Sequence, residues 1–451
     1  MKKSEESNFL KSSNKGLYLD GQNKRLSLKD SFKHMGIIAI SGIGKTTAYI
    51  IPNILKLASE NSSMIITDLS GELYEKTSGY LQKRGYNIQI LDPENLSESL
   101  AYNPLYYASD SSAIDLISET IISSSNPGEI KADEKAWFDG AKNLISIFIR
   151  VLIKKGDFKY INLANVKHLI NNFGMDGRNL DNFIHKYADE KTWNEWKGFA
   201  SGNPKTVLSY VTIANTSLNA IGINDNLEQM TLNHTVNFKN FRKEKTALYI
   251  KIPQQKQKQY SFLLNLFYKQ FFDSMMQELP TKNDLPIFCL LDEFGNMNIP
   301  DFSTIVTTIR KYKVSISIVM QDFNQLESQY GQSEAKTIMG GGINGKIFFG
   351  GSSLEITDML SKMIGERDVH KMDILGNIHL QKESVMSSSE IRTMQDDEAL
   401  FIFANKLPVM LKTKPYFKSF TLNNYSKISP HTPKSQNHPK VEYLDISKYN
   451  D

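Results

Sequence analysis

A glycine-rich run near the amino end carries the residue types that hold phosphate groups. The run, which we call the phosphate loop, consists of Ser41, Gly42, Ile43, Gly44, Lys45, Thr46 and Thr47. An apolar stretch precedes it and a helical pattern follows it, so a helix N-terminus lies behind the glycines. Glycines let backbone N–H groups turn toward an anion, a lysine suits the β- and γ-phosphate oxygens, and a hydroxyl suits Mg²⁺. The run therefore predicts a nucleotide site, with Lys45 on phosphate and Thr46 on the metal.

The spacing departs from the usual phosphate-loop pattern at one place. In the pattern G-x-x-x-x-G-K-[ST], the first glycine would stand where this chain has Ala39. Because Gly42 and Gly44 remain, we still expect an anion cradle.

Two neighbouring acids end an apolar run far downstream. Asp292 and Glu293 directly follow the run Ile287–Leu291, in which Cys289 is expected to be a buried apolar residue. An aspartate at such a strand end can hold Mg²⁺ through its water shell, and the next glutamate can polarise a water that attacks the γ-phosphate. The alternative is a strand that simply ends in solvated acids. The preceding phosphate loop favours the catalytic interpretation.

Two further polar residues accompany the next apolar run, Val314–Met320. Gln321 follows this run directly, where a glutamine can sense the γ-phosphate or orient the attacking water. Arg310 precedes the same run and is a candidate arginine finger for a neighbouring subunit's phosphate. For both residues, an ordinary surface position is the alternative.

Short apolar runs alternate with longer amphipathic stretches over much of the chain. This alternation predicts an α/β fold with a mainly parallel sheet and helices on both of its faces. The runs expected to form strands are 36–40, 64–67, 88–91, 247–252, 287–291, 314–320 and 346–349, followed by a hairpin at 399–411.

One stretch of the chain follows a helical period instead. From about residue 114 to 217 the apolar residues recur at a spacing of 3.6, which predicts an all-helical domain inserted into the α/β domain. We therefore expect a motor domain of residues 15–110 and 230–420, and a helical domain of residues 111–229. Polar composition predicts flexible ends at 1–14 and 421–451.

Composition limits the possible partners and locations. The 451 residues carry 53 Lys and Arg against 49 Asp and Glu, a net charge of +4, so any nucleic acid must meet a local basic lining. The single cysteine excludes a disulfide framework and fits a reducing cytosol. No apolar run is long enough to suggest a membrane span, and the first residues do not resemble a secretory signal.

The order of motifs resembles that of the type IV secretion coupling proteins, which are conjugative DNA-transfer ATPases. Besides the phosphate loop, the resemblance rests on DLSGEL (68–73), LDP (91–93), NPL (103–105), LDEFGN (291–296), IPDF (299–302), QDFNQL (321–326), YG (330–331) and YF (416–417). It extends over about residues 15–417.

The resemblance implies a RecA-like phosphate-loop motor that binds ATP and Mg²⁺ and forms a hexameric ring. It implies that Lys45 and Thr46 contact phosphate and metal, Asp292 supports the metal, Glu293 is the activating base and Gln321 is the sensor. The partners implied are DNA, single-stranded during transfer, its bound relaxase, and the type IV secretion channel.

Two features differ from the usual members of the family besides Ala39. Ser70 stands where a lysine is common, and the membrane-spanning helices expected before the motor are not recognisable. Either the protein docks on a separate membrane partner or it is a shortened version of the family, and we expect a cytoplasmic protein that reaches the inner face of the membrane through partners.

The sequence is also consistent with two other functions. One is a coupling ATPase that recruits protein substrates only, and the other is a scaffold that binds nucleotide without hydrolysing it. The glutamine-rich run 254–259 also has two interpretations, a solvated loop and a subunit interface.

Overall fold

A mixed sheet of nine strands forms the centre of the molecule. The computed structural model describes residues 6, 9–40, 42–125, 134–174, 177–372 and 378–449. Within these ranges the strands, in chain order, are β1 (Met35–Ile38), β2 (Ser63–Asp68), β3 (Asn87–Leu91), β4 (Thr246–Lys251), β5 (Ile287–Leu291), β6 (Val314–Met320), β7 (Gly345–Phe349), β8 (Glu366–Met372), β9 (Ile378–Ser384), β10 (Glu398–Phe403) and β11 (Val409–Lys412).

The order of strands across the sheet is β11-β10-β7-β1-β6-β5-β2-β4-β3. The strands from β7 to β3 are parallel to their neighbours. Among the described strands of this sheet, the antiparallel pairings are those of β10 with β7 and with β11, its partner in the predicted hairpin. The expectation of an α/β fold with a mainly parallel sheet is confirmed. The carboxyl ends of β1, β6 and β5 consequently meet at one edge of the sheet.

Helices connect and cover the strands. In chain order, the helices of the described residues are α1 (Leu28–Ser31), α2 (Ile51–Leu57), α3 (Glu72–Lys83), α4 (Ser111–Ser125), α5 (Lys135–Lys155), α6 (Leu163–Asn171), α7 (Gly177–Tyr187), α8 (Glu190–Ala200), α9 (Pro204–Ser217), α10 (Asn219–Ile223), α11 (Asp225–Met230), α12 (Ser261–Met276), α13 (Phe302–Thr308), α14 (Phe323–Thr337), α15 (Leu354–Ile364), α16 (Ser388–Arg392) and α17 (Phe420–Ser426).

The central strands are buried on both faces, which explains why they appear in the sequence as continuous apolar runs. Successive side chains of a strand point to opposite faces. In β2, for example, Ile65 joins a core shared with the helical segment, whereas Met64 and Ile66 join a second core under α2 and α3. The two cores fix the sheet from both sides and hold its carboxyl edge in place.

Helices α4 to α11 occupy the chain between β3 and β4, two strands that pair directly in the sheet. The helical period predicted for this part of the chain matches the burial of Ala141, Leu144, Ile145 and Phe148 on α5, while Trp137 is 39 % exposed. Helix α4 packs against α5 and also against α12 of the sheet layer. The division into a motor domain and an inserted domain at residues 111 and 229 stays a prediction.

The chain beyond α17 contacts the rest of the molecule at several described positions, and the flexibility expected for residues 421–451 stays a prediction. We call residues 427–449 the C-terminal segment. Its His431 N–H donates to Ser78 Oγ of α3 at 3.0 Å, and its Leu444 N–H donates to Asn165 Oδ1 of α6 at 2.8 Å. Leu444 is 3 % exposed. Although most residues of the segment are polar, its apolar residues Leu444 and Ile446 are buried against the rest of the molecule.

The amino end also contacts the molecule where it is described, and the flexibility expected for residues 1–14 stays a prediction. Leu10 is 6 % exposed, and the ring of Phe9 lies 5.1 Å from that of Phe403 on β10. Asn14 Nδ2 donates to the carbonyl of Arg25 at 2.7 Å. Residues 1–5 and 7–8 lie outside the described ranges.

A second, two-stranded sheet, β8 and β9, was not predicted from the sequence. Most of its side chains are exposed, so its residues lack the apolar alternation that identifies a buried strand. None of the helices in the described part of the chain combines the length and apolarity needed to cross a bilayer.

Candidate functional site

Three parallel strands bring the predicted site residues to the same edge of the sheet. The phosphate loop follows β1, Gln321 follows β6, and Asp292 and Glu293 follow β5. Since β6 lies between β1 and β5, the phosphate loop and the acids stand about 10 Å apart across the sheet. A lysine and a glutamate side chain that extend toward each other can cover that distance together, and a glutamine after β6 lies between the two.

The phosphate loop owes its path to two glycines. Gly42 has φ +87° and Gly44 has φ +99°, values that residues with a side chain rarely adopt. Ala39 lies before this turn, is fully buried, and donates its N–H to the carbonyl of Met320 on β6 at 3.1 Å. Position 39 thus continues the sheet pairing and does not require a glycine. Ser41 lies outside the described residues.

A helical segment begins directly behind the loop. Its first turn, Thr46–Ile50, is a π-turn that continues into α2, whereas the sequence predicted a regular helix over 46–57. Thr47 Oγ1 donates to the carbonyl of Gly44 at 3.3 Å and closes the loop onto the helix. Tyr49, buried beneath it, shares a hydrogen bond of 3.0 Å with Ser317 Oγ of β6. Such π-turns occur frequently at functional sites.

Lys45 and Glu293 are in direct contact. Lys45 Nζ donates to Glu293 Oε1, and the two side chains are 9 % and 15 % exposed. A buried ammonium is costly without a carboxylate partner or an equivalent anion. Lys45 therefore holds a positive charge in a site where only a few acceptor groups can reach it.

The two acids of the β5 edge differ in their surroundings. Burial raises the pKa of the Asp292 carboxyl to about 6; Lys45 lowers it and Glu293 raises it further. Glu293 has φ 53°, a left-handed conformation that is unusual for a residue with a side chain. From this backbone conformation the Glu293 side chain contacts Lys45 of the phosphate loop, and unusual backbone conformations of this kind are concentrated at functional sites.

Gln321 completes the contact between the three strands. Its side-chain amide donates to Glu293 Oε2 at 3.4 Å, so Lys45 and Gln321 hold different oxygens of one carboxylate. The backbone N–H of Gln321 donates in turn to Gln325 Oε1 at 3.0 Å. Gln325 also fills the space beside Gly295, where an added Cβ would lie 2.5 Å from Gln325 Oε1.

Arg310 does not reach this site within its own chain. It lies on the exposed turn Ile309–Tyr312 before β6, whereas Gln321 follows the other end of that strand. The seven residues of β6 separate the two edges by about 20 Å. An action of Arg310 on a phosphate therefore requires a neighbouring copy of the chain.

The family model of type IV secretory system conjugative DNA transfer proteins matches residues 2–442. The chain belongs to this family. No curated protein matches the sequence.

Solved structures of similar shape agree with this family assignment. The plasmid coupling protein TrwB in complex with ADP and Mg²⁺ is 14 % identical, with a TM-score of 0.74 over 97 % of this chain and 95 % of that one. TrwB with the non-hydrolysable ATP analogue ADPNP is 14 % identical, with a TM-score of 0.72 over 96 % and 95 %. VirB4 of Thermoanaerobacter pseudethanolicus is 13 % identical, with a TM-score of 0.51 over 90 % and 97 %. This similarity shows that the fold is the RecA-like phosphate-loop fold.

The residues at the sheet edge of this family member fit a nucleotide with its magnesium ion. The loop offers backbone N–H groups beside a buried ammonium, and Thr46 and Asp292 offer the oxygen ligands that Mg²⁺ prefers. Among the described residues, no three His, Cys, Asp or Glu side chains form a metal cluster. Mg²⁺ commonly combines one or two protein ligands with phosphates and waters.

Several family motifs shape the sheet edge. Asp68, at the end of β2, accepts the Tyr74 N–H at 2.8 Å and so caps α3. Asp92, after β3, forms an ion pair of 3.0 Å with Lys251 at the end of β4. In the sequence, these acids and Gln325 stand out only as parts of motifs that resemble the family.

Proposed function

We propose that this chain is an ATP-hydrolysing coupling protein that moves DNA toward a type IV secretion channel in conjugation. The family supports the biological process, and the site supports the chemistry. The observation that carries the proposal is the meeting of Lys45, Gln321 and Glu293 at the end of three parallel strands. A lysine, an acid and a glutamine in this arrangement are the groups that phosphoryl transfer to water needs.

Lys45 binds the phosphates of ATP in this proposal. Its ammonium exchanges the Glu293 carboxylate for β- and γ-phosphate oxygens, and the loop N–H groups add hydrogen bonds. The Thr46 hydroxyl and the Asp292 carboxylate would hold Mg²⁺. When bound, the ion neutralises phosphate charge and orients the γ-phosphate.

Once Lys45 has turned to the phosphates, Glu293 is free to accept a proton from a water. A positioned general base of this kind contributes about 10² to 10⁴ in rate. Gln321, which donates to Glu293 Oε2, holds the carboxylate in place and senses the phosphate beside it. Glu293 and Gln321 are the catalytic residues we propose, together with Arg310 from a neighbouring subunit.

The same proposal includes an assembly and a set of partners. A homo-hexameric ring would bring the exposed Arg310 of one copy toward the phosphates of the next. A ring would also let six copies of a few cationic residues meet a DNA strand, although the net charge per chain is only +4. We further propose that the relaxase travels with the DNA and that a separate membrane partner anchors the ring at the inner face of the membrane.

ATP turnover with and without DNA tests this function. Wild-type protein should hydrolyse ATP, and single- or double-stranded DNA should increase the rate. Lys45→Ala should abolish turnover, whereas Lys83→Ala, which removes an exposed lysine at the end of α3, should not change it. The particle mass, measured with nucleotide and DNA, should be six times that of the chain. Turnover that responds to a protein partner but not to DNA would contradict the proposal.

A further inference from the structure

A cavity of about 360 Å³ lies near the proposed ATP site at the same edge of the sheet. We call it the amide pocket, because four Gln, three Asn, three Ser and one Lys line it. Its residues come from the loop after β4, the loop after β5, α12, α14 and the end of α4. Crevices beyond the carboxyl ends of parallel strands are the usual ligand sites of such sheets.

Hydrogen bonds fix the walls of the amide pocket in advance. Asn265 of α12 donates through Nδ2 to Ser124 Oγ at 3.0 Å and accepts the Asn298 N–H on Oδ1 at 3.1 Å. Asn298 Nδ2 donates to the carbonyl of Gln329 on α14 at 3.0 Å. These hydrogen bonds connect the end of α4, α12 and α14 to the loop after β5. A site held in this way loses little conformational entropy when a ligand binds.

One buried group of the pocket has no partner in the described part of the chain. Gln257 is 4 % exposed and accepts a hydrogen bond from Asn296 Nδ2 on Oε1 at 3.1 Å, but its Nε2 donates to no group there. A buried donor without an acceptor costs about 1–3 kcal/mol. A ligand that places a hydrogen-bond acceptor beside Gln257 Nε2 would remove this cost.

The lining shows which ligand chemistry fits. No carboxylate lines the pocket, and Lys258 adds a positive charge to the hydroxyl and amide donors. Phosphate and sugar oxygens of nucleic acids accept from Ser, Asn, Gln and Lys side chains, and Asn and Gln amides also pair with base edges. The volume lies at the lower end of the range for small-molecule sites, which suits one nucleotide unit.

We infer that the amide pocket binds one nucleotide unit of the transported DNA strand. The inference rests on the proposed function, since it identifies where that DNA meets the motor. For the run 254–259, the sequence left two interpretations open, a solvated loop and a subunit interface. The inference adds a third, in which exposed Lys258 and buried Gln257 face the DNA.

The pocket is connected to the proposed catalytic acid by a short path. Asn296, the partner of Gln257, ends the turn Phe294–Asn296 that starts directly after Glu293. Gly295, inside this turn, is fixed against Gln325. A DNA strand that engages Gln257 thus acts on the turn that sets the position of Glu293. Gln257 and Asn296 are positioning residues, which couple DNA binding to ATP hydrolysis.

A pair of charge-matched variants tests the pocket by DNA binding. Lys258→Gln and Lys256→Gln make the same change two residues apart, but only Lys258 lines the pocket, whereas Lys256 pairs with Glu94 at 2.5 Å. The readout is the anisotropy of a fluorescent single-stranded oligothymidylate with ADPNP and Mg²⁺ over a range of salt. We expect Lys258→Gln to weaken binding at least fivefold and to reduce the salt slope by about 1, and Lys256→Gln to change neither.

Two further measurements separate the pocket from a general effect of charge. Gln257→Leu keeps the side-chain volume but removes both the Nε2 donor for DNA and the Oε1 acceptor that holds Asn296. The ratio of DNA-stimulated to unstimulated turnover should therefore fall toward 1. An oligonucleotide containing 4-thiothymidine, crosslinked to wild-type protein, should label peptides containing residues 254–261 or 294–301.

The outcomes distinguish the pocket from the proposed function. If wild-type protein neither binds DNA nor responds to it, both the proposed function and the pocket fail. If the wild type binds DNA while Lys258→Gln and Lys256→Gln weaken binding equally, or while the crosslinks lie elsewhere, the pocket alone is overturned. If the pocket binds a polypeptide instead of DNA, Lys258→Gln should bind DNA as tightly as the wild type does. That result also overturns the pocket as a DNA site.

Discussion

Lys45 and Glu293 are 248 residues apart in the chain, yet their side chains form a buried ion pair. The ammonium that we propose for phosphate binding thus contacts the carboxylate that we propose as the base. In that proposal, a phosphate that takes the place of Glu293 beside Lys45 would free the carboxylate, so the ion pair would link nucleotide binding to the exposure of the base.

Breaking this pair should destabilise the nucleotide-free protein. Lys45→Ala leaves Glu293 unpaired in a largely buried site, at a cost of about 3 kcal/mol in the free energy of unfolding. The double variant Lys45→Ala/Glu293→Gln removes the unpaired charge and should recover most of that loss. Urea unfolding of the wild type, both single variants and the double variant measures the coupling. Additive effects would show that the two groups do not interact in solution.

Gly295 should be intolerant of a methyl group. A Cβ at this position would lie 2.5 Å from Gln325 Oε1, so Gly295→Ala displaces the side chain that accepts the Gln321 N–H. We expect ATP turnover to fall by about tenfold or more, as a small misplacement of catalytic groups can cost 10²-fold. Gly198→Ala on α8 is the matched control, because nothing lies within 4 Å of its added Cβ. Equal turnover in the two variants would contradict the role of Gln325.

The C-terminal segment should detach from α3 when Gly79 is replaced. An alanine Cβ at this position would lie 1.9 Å from the carbonyl oxygen of Ser429. Gly79→Ala should therefore speed hydrogen exchange and limited proteolysis over residues 428–438, although alanine favours a helix. Protection unchanged from the wild type would show that the segment does not lie against α3.

His34 should make the protein less stable at acidic pH. Burial lowers its pKa to about 3 from a usual 6.5, and its Nδ1 accepts the Ile316 N–H at 3.1 Å. As the pH falls below 6.5, the unfolded chain binds a proton that the folded chain excludes, so stability declines. Between pH 7 and pH 5 this should cost about 2 kcal/mol.

The variant His34→Asn tests that assignment by urea unfolding at both pH values. Asparagine tolerates the left-handed backbone of residue 34, where φ is 63°, and does not titrate. The decline should be smaller by about 2 kcal/mol in His34→Asn than in the wild type. It should persist in His370→Asn, which removes an exposed histidine of β8. A decline of the same size in His34→Asn would rule out this histidine as its source.

The sequence predicted those parts of the fold that depend on buried apolar runs. The strands β5 and β6 begin and end at the predicted residues, 287–291 and 314–320, because burial on both faces leaves uninterrupted apolar residues. The hairpin β8–β9 has no such pattern, and the C-terminal segment is held by single contacts such as that of Leu444. Contacts that are isolated in sequence produce no periodicity and so could not be predicted.

The same distinction holds for the site. Lys45, Glu293 and Gln321 could be predicted because each follows a recognisable strand and parallel strands end at one edge. The contacts of Gln325, Gln257 and Asn296 depend on how a helix and two loops meet in space, and neither spacing nor residue type indicates the partner. The place of Arg310 at the opposite edge also follows from the sequence, because the residue precedes β6 whereas Gln321 follows it.

The most direct test of the account is a comparison of ATP binding and ATP turnover in Glu293→Gln. This change keeps the size of the side chain and removes the carboxylate that faces Lys45. If both groups act on one ATP molecule, the variant binds ATP at least as tightly as the wild type and hydrolyses it at least 100-fold more slowly. Turnover equal to that of the wild type would contradict the account.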